Sequence, residues 1–276
     1  MKQRFITAVL LGAVFLSLLY LGGWWYSGIM YVLAVIGFIE YAKMNRLEWY
    51  QSQVILGLVM VTSFFTINLT ELGQEGFFIT NGDLILWGLI LYLIFMVLSR
   101  NHFDIYQVAY LFVGAIYLGY GFSYIGFVRM NSGMEGMLLT LLVVFSIWAN
   151  DVGAYFIGKR WGNKKMWPDI SPNKTIEGAL AGLLFSITVS TVFLVLFPHL
   201  GKVIFPHLIL PFYVKGIVLG VLVGLIGQVG DLVESAIKRT TGVKDSGSIL
   251  PGHGGILDRF DSLLFTFILL HLVAWV

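Results

Sequence analysis

Nine stretches of this chain are too apolar to face water, and no other feature constrains its fold as tightly. They run over 4–23, 25–42, 53–70, 84–99, 105–127, 136–157, 178–198, 213–234 and 256–276. A helix that crosses a bilayer needs roughly 20 mostly apolar residues. Lipid offers no partner to a backbone N–H or C=O, so each stretch must close its hydrogen bonds internally, as a helix does. Composition supports the same reading: of 276 residues, 58% are hydrophobic and 12% charged, against about 25% charged in a typical soluble domain. The expectation is an all-α integral membrane protein, a polytopic helical bundle of about nine transmembrane helices. A cleaved signal peptide is the competing reading of MKQRFITAVLLGAVFLSLLYLGGWWY, but its apolar run is long, no small-x-small site follows, and further spans come after it. The segment 199–215, interrupted by Pro206 and Pro211, reads as a loop, a re-entrant piece or part of the eighth span.

Basic residues orient the bundle. With the N-terminus in the cytoplasm, the outer segments hold only Arg129, Lys202 and Lys215 of the 17 Lys and Arg residues. This is the asymmetry that the positive-inside rule expects, and it places the acidic loop TELGQEGFFITNGD outside. The expected location is a bacterial-type inner or plasma membrane. A formal charge of +2 makes no case for nucleic acid as a partner. The absence of cysteine excludes disulfides, thiolate metal sites and a cysteine nucleophile.

The polar residues are unevenly spread. The first four spans carry few ionisable groups, whereas four polar stretches follow residue 148. The expected division is 1–135 as a lipid-embedded scaffold and 136–276 as the catalytic region. In WANDVGAYFIGKRWG (148–162), Asp151 interrupts an apolar span, with Tyr155 one turn later on the same face. A carboxylate in a span is costly and usually faces an interior site; the plainer alternative is that it snorkels to Lys159 or Arg160. In ISPNKTIEGALAGLLF (170–185), Thr175, Glu177 and Gly178 fit a helix start. That N-terminus, with Lys174 and Ser171 beside it, suits a phosphate, although simple capping would explain the same residues. In GQVGDLVESAIKRTTGVKD (227–245), Asp231, Glu234, Ser235 and Lys238 share one helical face, and Lys238, Arg239 and Lys244 form a cationic collar.

The fourth stretch is KDSGSILPGHGGILDRFD (244–261), directly ahead of the last apolar run. Glycines such as Gly254 and Gly255 let backbone N–H groups approach a ligand closely. Asp258 and Asp261 lie one turn apart. Carboxylates at two helix ends are oxygen ligands of the kind Mg²⁺ prefers, and Mg²⁺ commonly takes one or two of them together with waters and substrate phosphates. Hard-cation ligands plus many Lys and Arg, all on the cytoplasmic face, fit phosphoryl or nucleotidyl transfer. The position at the membrane boundary makes a lipid the expected second substrate.

The run SAIKRTTGVKDSGSILPGHGGILDRFD (235–261) resembles the signature of the phosphatidate cytidylyltransferases, the CDP-diacylglycerol synthases. The pattern S-x-x-K-R-x4-K-D-x5-P-G-H-G-G-x-x-D-R-x-D is met at Ser235, Lys238, Arg239, Lys244, Asp245, Pro251, Gly252, His253, Gly254, Gly255, Asp258, Arg259 and Asp261. GDLVES, D-x-GAYFIGK and SPNKTIEG also look like the family, the last departing from S-P-K-K-T-W-E-G at Asn173 and Ile176. The resemblance implies that CTP and phosphatidate give CDP-diacylglycerol and pyrophosphate with Mg²⁺, the site facing the cytoplasm. It implies Asp231 and Asp258 as metal ligands, with Asp261 and Asp151 as further candidates. Lys238, Arg239, Lys244, Arg259 and Lys174 would bind phosphates, and Asp245 would belong to the catalytic set. Ser171, Thr175, Glu177, Ser235, Tyr155, His253, Gly254 and Gly255 would contact substrate. More than one cation, a monovalent one included, and a homodimer are further expectations. A CTP-dependent kinase of a polyprenol-type lipid alcohol would share CTP and metal but transfer the γ-phosphoryl group. In a transporter, Asp151 and Asp231 would instead line a pathway.

Overall fold

The computed structural model of the chain describes residues 2–70, 80–249 and 254–273. His253, with Pro251 and Gly252 of the signature, lies outside the described residues, as does most of the acidic outer loop. Among the described residues, each of the nine expected spans falls on a helix: α1 (Lys2–Leu21), α2 (Gly23–Met44), α3 (Ser52–Thr70), α4 (Asn81–Leu98), α5 (Ile105–Asn131), α6 (Gly133–Trp161), α7 (Ile176–Leu196), α9 (Phe212–Thr241) and α10 (Leu257–Leu272). Among the described residues, seven of these, α2 to α7 and α9, are long and apolar enough to cross a membrane. The segment 199–215 resolves into a short helix, α8 (Leu200–Ile204), and a turn ahead of α9. Lys215 closes this turn. Its buried ammonium donates to the carbonyls of Gly201 at 2.8 Å and Phe205 at 3.0 Å, which satisfies a charge otherwise costly to bury.

One feature was not expected: a two-stranded antiparallel hairpin of β1 (Lys165–Trp167) and β2 (Ser171–Thr175) between α6 and α7. Its register pairs Lys165 with Thr175 and Trp167 with Ser171, with an irregularity between.

The chain forms two compact units, one of residues 1–131 with 241–259 and the other of 132–240 with 260–276. In the first, α2, α3 and α5 pack around Tyr26, Phe38, Phe64, Leu111, Leu118 and Phe122, all fully buried. Tyr41 and Tyr110 staple α2 to α5: each hydroxyl donates to the other residue's carbonyl, at 3.1 and 2.7 Å, and the rings stack at 4.2 Å. The break between α1 and α2 falls at Gly22, whose φ of 64° suits glycine. Arg129 of α5 covers the carbonyls left over there, donating from Nε to Leu19 at 2.6 Å and from a terminal nitrogen to Tyr20 at 3.0 Å. The outer face of α4, with Leu86, Trp87, Ile94, Val97 and Leu98 exposed, is the apolar surface of a helix that lies in lipid.

In the second unit, α6, α7 and α9 meet through small residues. A Cβ on Gly182 would lie 2.6 Å from the Asn150 carbonyl, and one on Gly178 would lie 2.7 Å from that of Ala154. Small residues at such crossings let backbones approach closely, the usual means of helix association in lipid.

Candidate active site

The second unit holds an open cavity of about 610 Å³ between α6, the β-hairpin, α7 and α9. Its polar lining includes Asp151, Tyr155, Lys159, Lys165, Lys174, Gln228 and Asp231. Helix length explains where it sits. At a rise of about 1.5 Å per residue, Asp151 lies roughly 27 Å along α6 and Asp231 roughly 28 Å along α9. Both carboxylates therefore lie at similar distances along their helices, comparable with the roughly 30 Å thickness of a hydrocarbon core.

Two candidates from separate stretches meet there. The Lys174 ammonium lies 2.7 Å from Asp231 Oδ2. Sequence reading assigned one to phosphate and the other to metal, and the structure pairs them with each other. Asp151 is within electrostatic reach of both Asp231 and Lys174. Asp261, on α10, feels the charges of Asp231, Glu234 and Asp151. Its helix comes close because Gly230 has no side chain: a Cβ there would lie 2.9 Å from the Asp261 carbonyl and 2.7 Å from Phe265 Cβ. Three aspartates from three helices are thus close enough to feel one another's charge.

Gln228 was not singled out from the sequence. Its amide donates to the Asn150 side-chain oxygen at 2.8 Å and to the Ala179 carbonyl at 2.9 Å. Asn150, itself buried, donates in turn to Asp151 Oδ1 at 3.4 Å. This relay ties α9, α7 and α6 together behind the Asp151 carboxylate. The available signal was a polar side chain inside the apolar run LVGLIGQVGD.

Several other candidates hold the frame of the site. Thr175 is the N-cap of α7: its hydroxyl accepts from Gly178 N at 3.2 Å. Glu177 accepts from the backbone of Asn163 at 3.1 Å and of Lys164 at 3.2 Å, fixing the entry to the hairpin. Ser235 donates to Asp231 Oδ1 at 3.4 Å, Lys238 pairs with Glu234 at 2.9 Å, and Arg239 Nε donates to the Ile170 carbonyl in the hairpin turn at 3.1 Å. Tyr155 is exposed, with Lys159 Nζ 3.4 Å from its hydroxyl. Ser171 opens β2 opposite Trp167. Removing the Thr175 cap hydroxyl in Thr175→Val is expected to cost about 1 kcal/mol of stability, read as a lower melting temperature in detergent, whereas Thr175→Ser keeps it.

The rest of the signature belongs to the first unit. Asp258 Oδ2 accepts from Ser246 N at 3.0 Å, from Ser246 Oγ at 2.9 Å and from Gly255 N at 2.9 Å. Gly254 has a φ of 86°, a conformation that favours glycine. Lys244, Asp245 and Arg259 are exposed.

The donor chemistry fits Mg²⁺. Asp231, with Asp151 beside it, supplies hard oxygens, and Asp231 already holds a cation, the Lys174 ammonium. Mg²⁺ does not require a cage built wholly of protein, and among the described residues no three His, Asp or Glu side chains form one.

A family model described as the cytidylyltransferase family matches residues 2–276. The chain belongs to the cytidylyltransferase family. Members similar to it include the phosphatidate cytidylyltransferase of Bacillus subtilis (strain 168), 37% identical over 269 residues that cover 96% of this chain and 94% of that protein. The phosphatidate cytidylyltransferase of Staphylococcus haemolyticus (strain JCSC1435) is 38% identical over 276 residues, 99% of this chain and 98% of the relative. That of Staphylococcus aureus (strain COL) matches with the same identity and coverage. In this cytidylyltransferase the similarity spans the N-terminal helices as well as the polar half.

Proposed function

We propose that this membrane enzyme is a CTP:phosphatidate cytidylyltransferase. A phosphate oxygen of phosphatidate attacks the α-phosphorus of CTP, the bond from that phosphorus to the α,β-bridging oxygen breaks, and pyrophosphate leaves with CDP-diacylglycerol as product. The observation that carries the reading is the Lys174–Asp231 pair beside Asp151, in the C-terminal halves of α6 and α9. A carboxylate pair with an adjacent ammonium suits a nucleotide triphosphate, and the position suits a substrate whose tails stay in lipid. The attacking phosphate is already anionic near neutral pH, so no strong base is needed. The barrier is repulsion among phosphates, which fixed cations lower most effectively where water is scarce.

Lys174, Lys159 and Lys165 line the cavity and offer that positive charge. Asp231 and Asp151 would hold Mg²⁺, with Asp261 close in charge; bound there, the ion neutralises phosphate charge. Asp258 is the further ligand that the signature suggests. The Gln228–Asn150 relay holds Asp151 in place. Lys238, Arg239, Lys244, Asp245 and Arg259 serve the same reaction through the signature. The basic asymmetry between loops supports a cytoplasmic site. The detergent-purified protein with CTP and Mg²⁺ is expected to release pyrophosphate only when phosphatidate is present. Release without lipid, or none with it, would contradict the reading.

A further inference from the structure

We infer that Glu40 is a positioning residue for the reaction proposed above, holding the signature backbone at 246–247 and 255–257 in its working form from the far end of the sequence. The inference rests on that reading for its activity readout but not for its structural one. Glu40 lies near the C-terminal end of α2 and is 3% exposed. A carboxylate buried in a spanning helix is costly and is kept where something pairs with it. Its partners here are backbone groups of the signature: Oε2 accepts from Ile256 N at 2.7 Å and from Leu257 N at 3.3 Å. These N–H groups lie at the start of α10, where a helix leaves donors over and favours a negative charge. The Ser246 hydroxyl and the Asp258 carboxylate also face it.

Asp258 grips the same segment through Ser246 N and Gly255 N. Two carboxylates therefore gather the amides of Ser246, Gly255, Ile256 and Leu257. The arrangement also accounts for two glycines: a Cβ on Gly255 would lie 2.6 Å from Glu40 Oε2, and one on Gly247 would lie 2.6 Å from Glu40 Cδ. Gly247, Gly255, Ile256 and Leu257 thus close around the Glu40 carboxylate, near Lys244 and Arg259 in sequence. Glu40 touches no reacting atom; it acts through the backbone that adjoins those residues.

The test uses full-length Glu40→Gln and Glu40→Ala proteins in detergent, with three readouts: melting temperature, amide hydrogen exchange over 254–258, and pyrophosphate release at varied CTP. Losing a hydrogen bond to a charged acceptor should speed exchange and lower kcat by about tenfold or more in Glu40→Ala. Glu40→Gln, which keeps a neutral acceptor, should fall between it and the unchanged protein, with a melting temperature near the latter's. Should Glu40→Ala not fold, Glu40→Gln carries the test. Unchanged exchange in Glu40→Gln would overturn the inference, as would full turnover despite faster exchange, or a loss of activity that merely follows a falling melting temperature. Absence of pyrophosphate release from the unsubstituted protein would count against the proposed function alone, and exchange would still decide whether Glu40 holds the segment.

Discussion

Asp231→Asn is expected to lower CTP- and phosphatidate-dependent pyrophosphate release by about 10³-fold, the scale seen when one preorganised electrostatic group is removed from a reacting centre. The substitution keeps the shape of the side chain and removes its charge. It leaves Lys174 facing an amide where it now lies 2.7 Å from a carboxylate, and it removes the charge of one of three neighbouring aspartates. Relief of the repulsion from Asp151 and Asp261 opposes the loss of the Lys174 ion pair, so the melting temperature should move little. Activity and stability should therefore part: turnover lost, melting temperature nearly held. A protein that kept within about tenfold of normal turnover would remove Asp231 from the electrostatic centre.

Gly220→Val should do the reverse and lose stability. On α9, Gly220 meets α7 where no side chain fits: a Cβ would lie 2.9 Å from Ile187 N and 3.0 Å from the Ser186 carbonyl. Those are backbone atoms and cannot swing aside. The Ser186 hydroxyl also donates to the Gly220 carbonyl at 3.0 Å, so spreading the helices breaks a buried hydrogen bond. Overpacking of this kind costs about 1–3 kcal/mol or more, a fall of roughly 5–10 °C in melting temperature. Gly12→Ala is the matched control, since nothing lies within 4 Å of a Cβ there, and it should melt no lower than the unsubstituted protein. Equal melting of the two variants would show that the α7–α9 contact is looser than described.

The helices were legible because an apolar run long enough for a bilayer admits only one backbone solution. The hairpin was not, because its strands are three and five residues long and SPNKT carries a proline and a lysine that read as loop. Spacing along one helix correctly placed Asp231, Glu234, Ser235 and Lys238 on one face, and the structure links them in pairs one turn apart. Spacing could not bring Lys174 to Asp231, because that pairing depends on how the hairpin, α7 and α9 pack. The same limit hid Glu40. The first spans read as chemically bland, yet FIEYAK holds a carboxylate whose partners lie more than 200 residues on, at Ile256 and Leu257. Both missed residues, Gln228 and Glu40, are polar groups in apolar helices, and in lipid each such group calls for a partner.

The most direct test of the central claim follows the label from CTP carrying ³²P at either the α or the γ position, with phosphatidate and Mg²⁺ present. Nucleotidyl transfer predicts that the α-label enters the lipid as CDP-diacylglycerol while the γ-label leaves in pyrophosphate. A γ-label found in lipid, with CDP as the soluble product, would contradict the account and make the chain a lipid kinase.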